Sequence, residues 1–285
     1  MKQLVINADD FGADEARNAG IIEAIQKGIV TSTSILANGP AFKDTIIQIH
    51  SLNLAASFGI HISLSEGKPV TSNLRLLIGD DGNFLKKAAA HRRLTESRNQ
   101  ELGKEISEEV SAQVERLLES GIRIDHLDGH QHVHVFSAVF PIALKIARHY
   151  GIPWVRIPEE SAPFSNPEGI PRWLRQEVQF FSRIAKKARL QVKGDGVKIP
   201  DHFRGLDLKG RFSVPVLCDL LQKLPPGLTE LMVHPGRVPK EHRGPFSGFS
   251  TIDRERELET LLDPRFQEAL KHSQTSLTPF PNKEG

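Results

Sequence analysis

Ile122-Arg123-Ile124-Asp125-His126-Leu127-Asp128-Gly129-His130-Gln131-His132-Val133-His134 starts as a strand, Ile122–Asp128, and runs directly into four of the chain's twelve histidines. Side chains of an extended segment alternate between faces with period two. His126, Asp128, His130, His132 and His134 therefore share one face for as long as the segment stays extended. Imidazoles are frequent ligands of divalent metals, and a carboxylate among them can ligate or orient a ring. A polar loop that happens to be rich in histidine is the plain alternative. The spacing favours a metal or acid–base site.

The same pattern, an apolar strand ending in chemistry, recurs outward from this point. Leu4-Val5-Ile6 reads as a buried strand and stops at Asn7-Ala8-Asp9-Asp10-Phe11-Gly12. Adjacent carboxylates at the end of a buried strand are costly unless a cation or hydrogen bonds hold them. Neighbouring side chains diverge, so one of the pair can bind a metal while the other takes a proton. Capping the helix over Glu15–Lys27 is the competing role, and Asp14 is better placed for it. Further strands are expected at Val30–Ala37, Ala55–Leu64 with His61, Trp154–Ile157, and Leu228–Val233, which ends in His234-Pro235-Gly236. Helices are expected around Phe42–His50, Glu101–Ser120, Phe140–Tyr150, Arg172–Arg189, Val214–Leu224 and, as the last clear one, Arg254–Leu262. Ser65 to Arg98 reads as a polar stretch with a turn at Asp80-Asp81-Gly82-Asn83. Residues 159–212 read as a less regular insertion, and 273–285 as a loosely held tail.

Repeated strand–helix units imply parallel strands covered by helices. The polar residues Asp9, Asp10, Asn38, His61, His126 to His134, Arg156 and His234 all fall at strand ends. Such a ring fits the carboxyl-end mouth of a barrel, whereas an open sheet would gather them at one crevice. The expectation is one α/β domain over residues 1–285, an irregular (β/α) barrel of about seven parallel strands.

The chain's 285 residues, with 39% hydrophobic and 25% charged, can bury a full core. A formal net charge of +2 gives no reason to expect nucleic acid. The basic pairs Lys86-Lys87, Arg92-Arg93 and Lys186-Lys187 read as solvated faces. Cys218, the one cysteine, excludes an internal disulfide and reads as a buried thiol in a reducing compartment. No apolar run approaches membrane-spanning length, so the cytoplasm is the expected location and a homodimer is allowed. Trp154, Trp173 and Phe11 could stack on the rings of a ligand, but core packing is the expected use of each.

Taken together, Asn7-Ala8-Asp9-Asp10-Phe11-Gly12, Gly28-Ile29-Val30-Thr31-Ser32-Thr33-Ser34, Gly59-Ile60-His61, the run from His126 to His134, and His234-Pro235 resemble the YdjC-like carbohydrate deacetylases. That group includes chitooligosaccharide deacetylases and hopanoid-biosynthesis-associated deacetylases. The motifs occur in family order over residues 3 to about 236. The resemblance implies a distorted barrel related to the NodB-type polysaccharide deacetylases, and removal of the N-acetyl group from an acetylated amino sugar. It also implies one divalent ion, usually magnesium, although a site of two His and one Asp also accepts zinc, manganese or cobalt. It makes His61 and His130 metal ligands with Asp10 as the third, and Asp9 the general base. His234 would protonate the leaving amine. His126 would ligate instead of His130 or orient it, and Asp128 would stand behind the ligands. His132 and His134 would line the sugar groove or face solvent, and Asn38 and Arg156 would stand behind the ligands or contact the substrate. A metal-dependent phosphoesterase, with Arg156 and Arg237 as phosphate contacts, and an inactive sugar-binding homologue are the alternatives. A glycosidase would need two carboxylates straddling a bond, which adjacent aspartates cannot readily do.

Overall fold

A computed structural model describes residues 1–96, 99–160, 170–192, 196–241 and 244–281. Strand β1 (Lys2–Phe11) is central. It pairs with β2 (Ser32–Ile35), which leads through β3 (Ser57–Ile62) and β4 (His126–Gly129) to β5 (Trp154–Val155). On its other edge β1 pairs with β7 (Gly227–Val233), and β7 pairs with β6 (His202–Arg204). Every ladder is parallel. The seam between the outer strands is bridged just before β6. Lys198 forms a parallel bridge to Trp154, and the Val155 N–H donates to its carbonyl at 2.9 Å. One short segment thus touches β5 at its start and β7 at its end, and the sheet curls into an irregular barrel.

Helices α1 (Glu15–Gln26), α2 (Phe42–Leu52), α3 (Lys87–Glu96), α4 (Gln100–Glu119), α5 (Phe140–His149), α6 (Arg172–Arg189), α7 (Val214–Lys223), α8 (Ile252–Leu262) and α9 (Pro264–His272) complete the chain. Asp14 caps α1 as expected, accepting from the Arg17 N–H at 2.7 Å. The outward residues of the strands, such as Leu4, Ile6, Ile60, Leu127 and Leu231, join the helices in one continuous core. The inward residues form layers. Val5, Trp154, Leu228 and Phe280 make a separate apolar floor; above it the interior turns polar.

Five expectations need correction. The segment after Gly129 does not stay extended. It becomes a 3₁₀ segment over His130–Val135, with Gln131 and His132 at positive φ, so the alternation of the histidines ends there. The polar stretch contains helix α3, and Glu105 and Glu109 of α4 accept backbone N–H groups from Val70 to Leu77, which pins that stretch down. Residues 159–212 hold helix α6 as expected but also supply β6 to the sheet, while 161–169 and 193–195 lie outside the described residues. The tail is not loose as far as residue 281. Thr275–Leu277 forms β8 on β1, Phe280 is buried, and the Trp154 indole N–H donates to the Pro281 carbonyl at 2.8 Å. Residues 282–285 of that tail lie outside the described residues. Cys218 is half-buried, less enclosed than expected. Among the described residues, no helix is long and apolar enough to cross a membrane.

Candidate active site

At the carboxyl end of β1 the ladder with β2 slips. Ala8 faces Thr33 and Phe11 faces Ile35, so β1 carries one extra residue across the aspartates. Asp10 takes up the irregularity with φ +67°, a left-handed conformation that aspartate tolerates better than most residues. The bulge aims the two carboxylates at different partners inside one buried cavity mouth.

Asp10 meets the imidazoles. Its Oδ1 lies 3.2 Å from His61 Nε2 and 2.8 Å from His130 Nδ1, while Oδ2 accepts from Arg17 at 2.6 Å. The three potential ligand atoms lie within 4.8 Å of one another, and all three residues are buried. Donor atoms about 2.1 Å from one ion at right angles would be roughly 3 Å apart, close to these separations. His61 Nδ1 donates to Asp128 Oδ1 at 2.7 Å, which leaves Nε2 free to ligate, the arrangement that orients metal-binding histidines. Asp9, His61 and Asp128 form a second cluster of the same kind. It is the poorer cation site, because one guanidinium already hydrogen-bonds both of its carboxylates.

That guanidinium belongs to Arg156. It holds Asp9 with two hydrogen bonds of 2.6 Å, Asp128 at 2.8 Å and Glu230 at 2.8 Å, with no side-chain exposure. Asn7 donates to Asp9 at 2.8 Å, and Ser34 donates to Asp128 at 2.6 Å. Four buried carboxyl groups (Asp9, Asp10, Asp128, Glu230) thus face two guanidinium groups, Arg17 and Arg156. The excess of negative charge calls for protons or a cation. Burial alone would lower both imidazoles, yet Asp128 and Asp10 push His61 up to about 10, and Asp10 raises His130. Burial pushes Asp10 the other way, but His130, His61 and Arg17 hold it well below the ordinary carboxylate range. Burial raises Asp9 against the pull of Arg156, and it raises Glu230 to about 7. A site that concentrates acceptors and pulls protons onto its histidines is one a divalent cation fits.

The histidine run divides into separate jobs. His130 reaches the Asp10 cluster. His126 is held at 3.0 Å from Ser34 Oγ and stacks on Phe280, ring centroids 4.5 Å apart, deep in the barrel. His134 donates from Nε2 to the Arg156 carbonyl at 3.1 Å. His132 lines the cleft with Phe181 against its ring. Burial holds His126 and His134 down at about 3 and His132 well below its ordinary value, so these three are neutral. His132 and His134 are both buried, so neither faces solvent.

On the opposite wall, His234 follows β7. Its backbone N–H donates to Glu257 at 2.6 Å, and its ring Nδ1 is 3.9 Å from the same carboxylate. Burial and the neighbouring Arg254 hold this imidazole well below its ordinary value, so it rests neutral. Asp9, Asp10, His61, His130 and His234 line one cleft, whose outer walls include Phe181, Phe212, Met232 and Phe249.

The sequence profile of the YdjC-like protein family matches residues 3–272. The chain belongs to the YdjC-like family. A carbohydrate deacetylase of Mus musculus is 33% identical over 252 residues, covering 82% of this chain and 78% of its own. One from Brevibacillus brevis is 31% identical, covering 82% and 81%, and one from Danio rerio is 31% identical, covering 92% of each. A solved structure from Enterococcus faecalis, described as that of a proposed cellobiose-phosphate cleavage protein, superposes with a TM-score of 0.76. It covers 98% of this chain and 97% of its own, and at 24% identity it shows the shared fold.

In this YdjC-like chain the structure brings together Asp9, Asp10, His61, Asp128, His130, Arg156 and His234, all singled out from sequence. It places Asn38 differently. The Asn38 amide donates to the carbonyls of Glu66 and Lys68, both at 3.1 Å, and so holds the loop after β3. Of its two expected places Arg156 takes the one behind the site, holding Asp9 and Asp128 as the central counter-ion of the barrel. Trp173 is 54% exposed rather than in the core. Sequence reasoning missed Arg17, Ser34, Glu66, Glu230, Arg254 and Glu257. Two of them left a signal: Glu230 is a charge in the middle of the apolar strand Leu228–Val233, and Ser34 ends the motif Gly28–Ser34.

Proposed function

We propose that this chain is a divalent-metal-dependent carbohydrate N-deacetylase, which hydrolyses the N-acetyl group of an acetylated amino sugar and releases acetate. The observation that carries this is the buried Asp10–His61–His130 triad beside an aspartate fixed by Arg156. The activity of the curated relatives supports it. A divalent ion held by the triad would supply Lewis acidity, polarising the acetyl carbonyl and making water a better nucleophile. Asp9 is the base. Its Oδ1 accepts from both Arg156 and Asn7, whereas Oδ2 accepts from Arg156 and keeps a lone pair for the proton of the attacking water. The water oxygen bonds to the acetyl carbon, the C–N bond breaks, and the nitrogen leaves as an amine carrying an added proton. His234, across the cleft, meets that nitrogen. A resting neutral imidazole serves there as hydrogen-bond partner and proton relay, and Glu257 sets its orientation. His132 and the aromatic walls enclose the sugar.

The phosphoesterase alternative depended on Arg156 and Arg237. Arg156 is fully committed to three carboxylates, and Arg237 pairs with Glu23 and Glu255. Acetate release from a panel of N-acetylated sugars, after chelation and with add-back of magnesium, zinc, manganese or cobalt, tests the proposal. Release that depends on one of these ions is expected. Equal release in the presence of chelator would refute the metal requirement, and phosphate release from sugar phosphates without acetate release would refute the reaction.

A further inference from the structure

His61 and His130 each present one nitrogen to Asp10 and turn the other to a second carboxylate. For His61 that partner is Asp128. For His130 it is Glu66, whose Oε2 lies 3.1 Å from Nε2. Glu66 sits in the loop after β3, and its other oxygen, Oε1, accepts the Phe246 backbone N–H at 2.7 Å. Phe246 and Phe249 close over the His130 ring, with centroids at 5.1 and 5.4 Å. The loop around Glu66 is itself fixed. Asn38 holds the carbonyls on either side of Gly67, and Gly67 adopts φ +79° where an added Cβ would meet the Phe246 ring at 3.0 Å.

We infer that Glu66 is a positioning residue of the metal site, which fixes the ring of His130 and the nitrogen on which its proton resides. The inference rests on the proposed metal-binding role of Asp10, His61 and His130. Glu66 accepts from the Phe246 N–H on Oε1, and its Oε2 faces His130 Nε2–H and, at 3.4 Å, the Gln131 side-chain amide. Only a group with two acceptor oxygens satisfies both sides. With Nε2 protonated and bound to Glu66, Nδ1 is the nitrogen left with a lone pair for a cation, on the side that faces Asp10. Glutamine has the same size but one acceptor and one donor. If its oxygen stays on the Phe246 N–H, its NH₂ confronts Nε2 and forces the proton onto Nδ1, which can then no longer ligate. If it flips, two N–H groups oppose each other at Phe246. A carboxylate behind each ligand histidine also adds basicity to the ring, and loss of such a partner weakens metal binding by about 10- to 100-fold.

The test measures Zn²⁺ affinity by competition with a chromophoric chelator, in the wild-type chain and in Glu66→Gln, Glu66→Ala and Glu66→Asp, with His130→Ala as the baseline. Melting of each metal-free protein is measured alongside. The inference expects Glu66→Gln to bind zinc about 10- to 100-fold more weakly than wild type, close to Glu66→Ala, with Glu66→Asp between them and wild type. A residue that only anchored the Phe246 loop would behave otherwise. Glu66→Gln still accepts from that N–H, so it would bind zinc as wild type does, and this result overturns the inference. Should Glu66→Gln melt early, Glu66→Asp decides, because it keeps both acceptor oxygens. Affinity no better than that of Glu66→Ala, at an unchanged metal-free melting temperature, also overturns it. Wild-type protein that takes up no zinc would overturn the metal-site proposal itself, a result distinct from equal binding by wild type and variant.

Discussion

Replacing Arg156 by methionine, which has similar length and no charge, removes the only guanidinium among Asp9, Asp128 and Glu230. Four charge-assisted hydrogen bonds of 2.6–2.8 Å disappear; Asp9 and Glu230 stay buried without a counter-ion, and Asp128 keeps only His61. Breaking a buried ionic network by removing one partner costs about 3–5 kcal/mol. A domain typically has about 5–15 kcal/mol in hand, so the variant should still fold, with a urea midpoint well below wild type. The deficit should also depend on pH. Burial already raises Glu230 to about 7 from 4.5, and a raised group contributes stability that is complete below its unfolded value and lost as pH rises through the folded one. Without Arg156, both Glu230 and Asp9 rise further. The deficit should therefore be largest near pH 8 and shrink by pH 5.5, where protons replace the missing cation. Urea titrations of metal-free wild type and Arg156→Met at both pH values measure it. A deficit below about 1 kcal/mol, or one equal at the two pH values, would refute the assignment of Arg156 as the barrel's counter-ion.

His61→Ala and His130→Ala should each lose the metal while the fold survives, because the triad closes a mouth above the core; full occupancy by elemental analysis in both would remove them as ligands. Asp9→Asn should retain the ion and lose about 10²–10⁴-fold in rate, whereas Asp10→Asn should lose the ion, and the opposite pattern would exchange their roles. His234→Ala should depress turnover of an N-acetyl sugar far more than that of an activated acetyl ester, whose leaving group needs no proton; equal losses would assign it to substrate positioning. Metal uptake should release protons at neutral pH, since His61 sits at about 10 in the metal-free protein, and apparent affinity should climb with pH. Calorimetry in buffers of different ionisation enthalpy reads this, and zero proton release would contradict the assignment of His61 as a ligand.

The architecture was legible because its signals are local. Leu4–Ile6 and Leu228–Val233 are buried on both faces of a barrel wall, so each is a near-continuous apolar run. Each stops abruptly at polar residues because a parallel barrel gathers its chemistry at the carboxyl ends of its strands. The amphipathic pattern placed α4, α5 and α6 within a residue or two. The short pieces were not legible. β6 and β8 have three residues each, too few for any period to show, and they are strands only because β7 and β1 offer them a partner.

The sequence by itself also singled out the residues that the proposed reaction uses, Asp9, Asp10, His61, Asp128, His130 and His234, since each sits at a strand end in a recognisable motif. Which atom meets which was decided by tertiary structure. A one-residue bulge sends Asp10 to the imidazoles and Asp9 to Arg156. Two left-handed residues at Gln131 and His132 break the histidine run, so one ring reaches Asp10 and the others are buried as neutral groups. The charged groups that meet these residues, Arg17, Glu66, Arg156 and Glu230, come from other elements, and Arg156 lies 147 residues from Asp9. Charge compensation in a buried site depends on distances of a few ångströms through space, and no spacing along the chain encodes those distances.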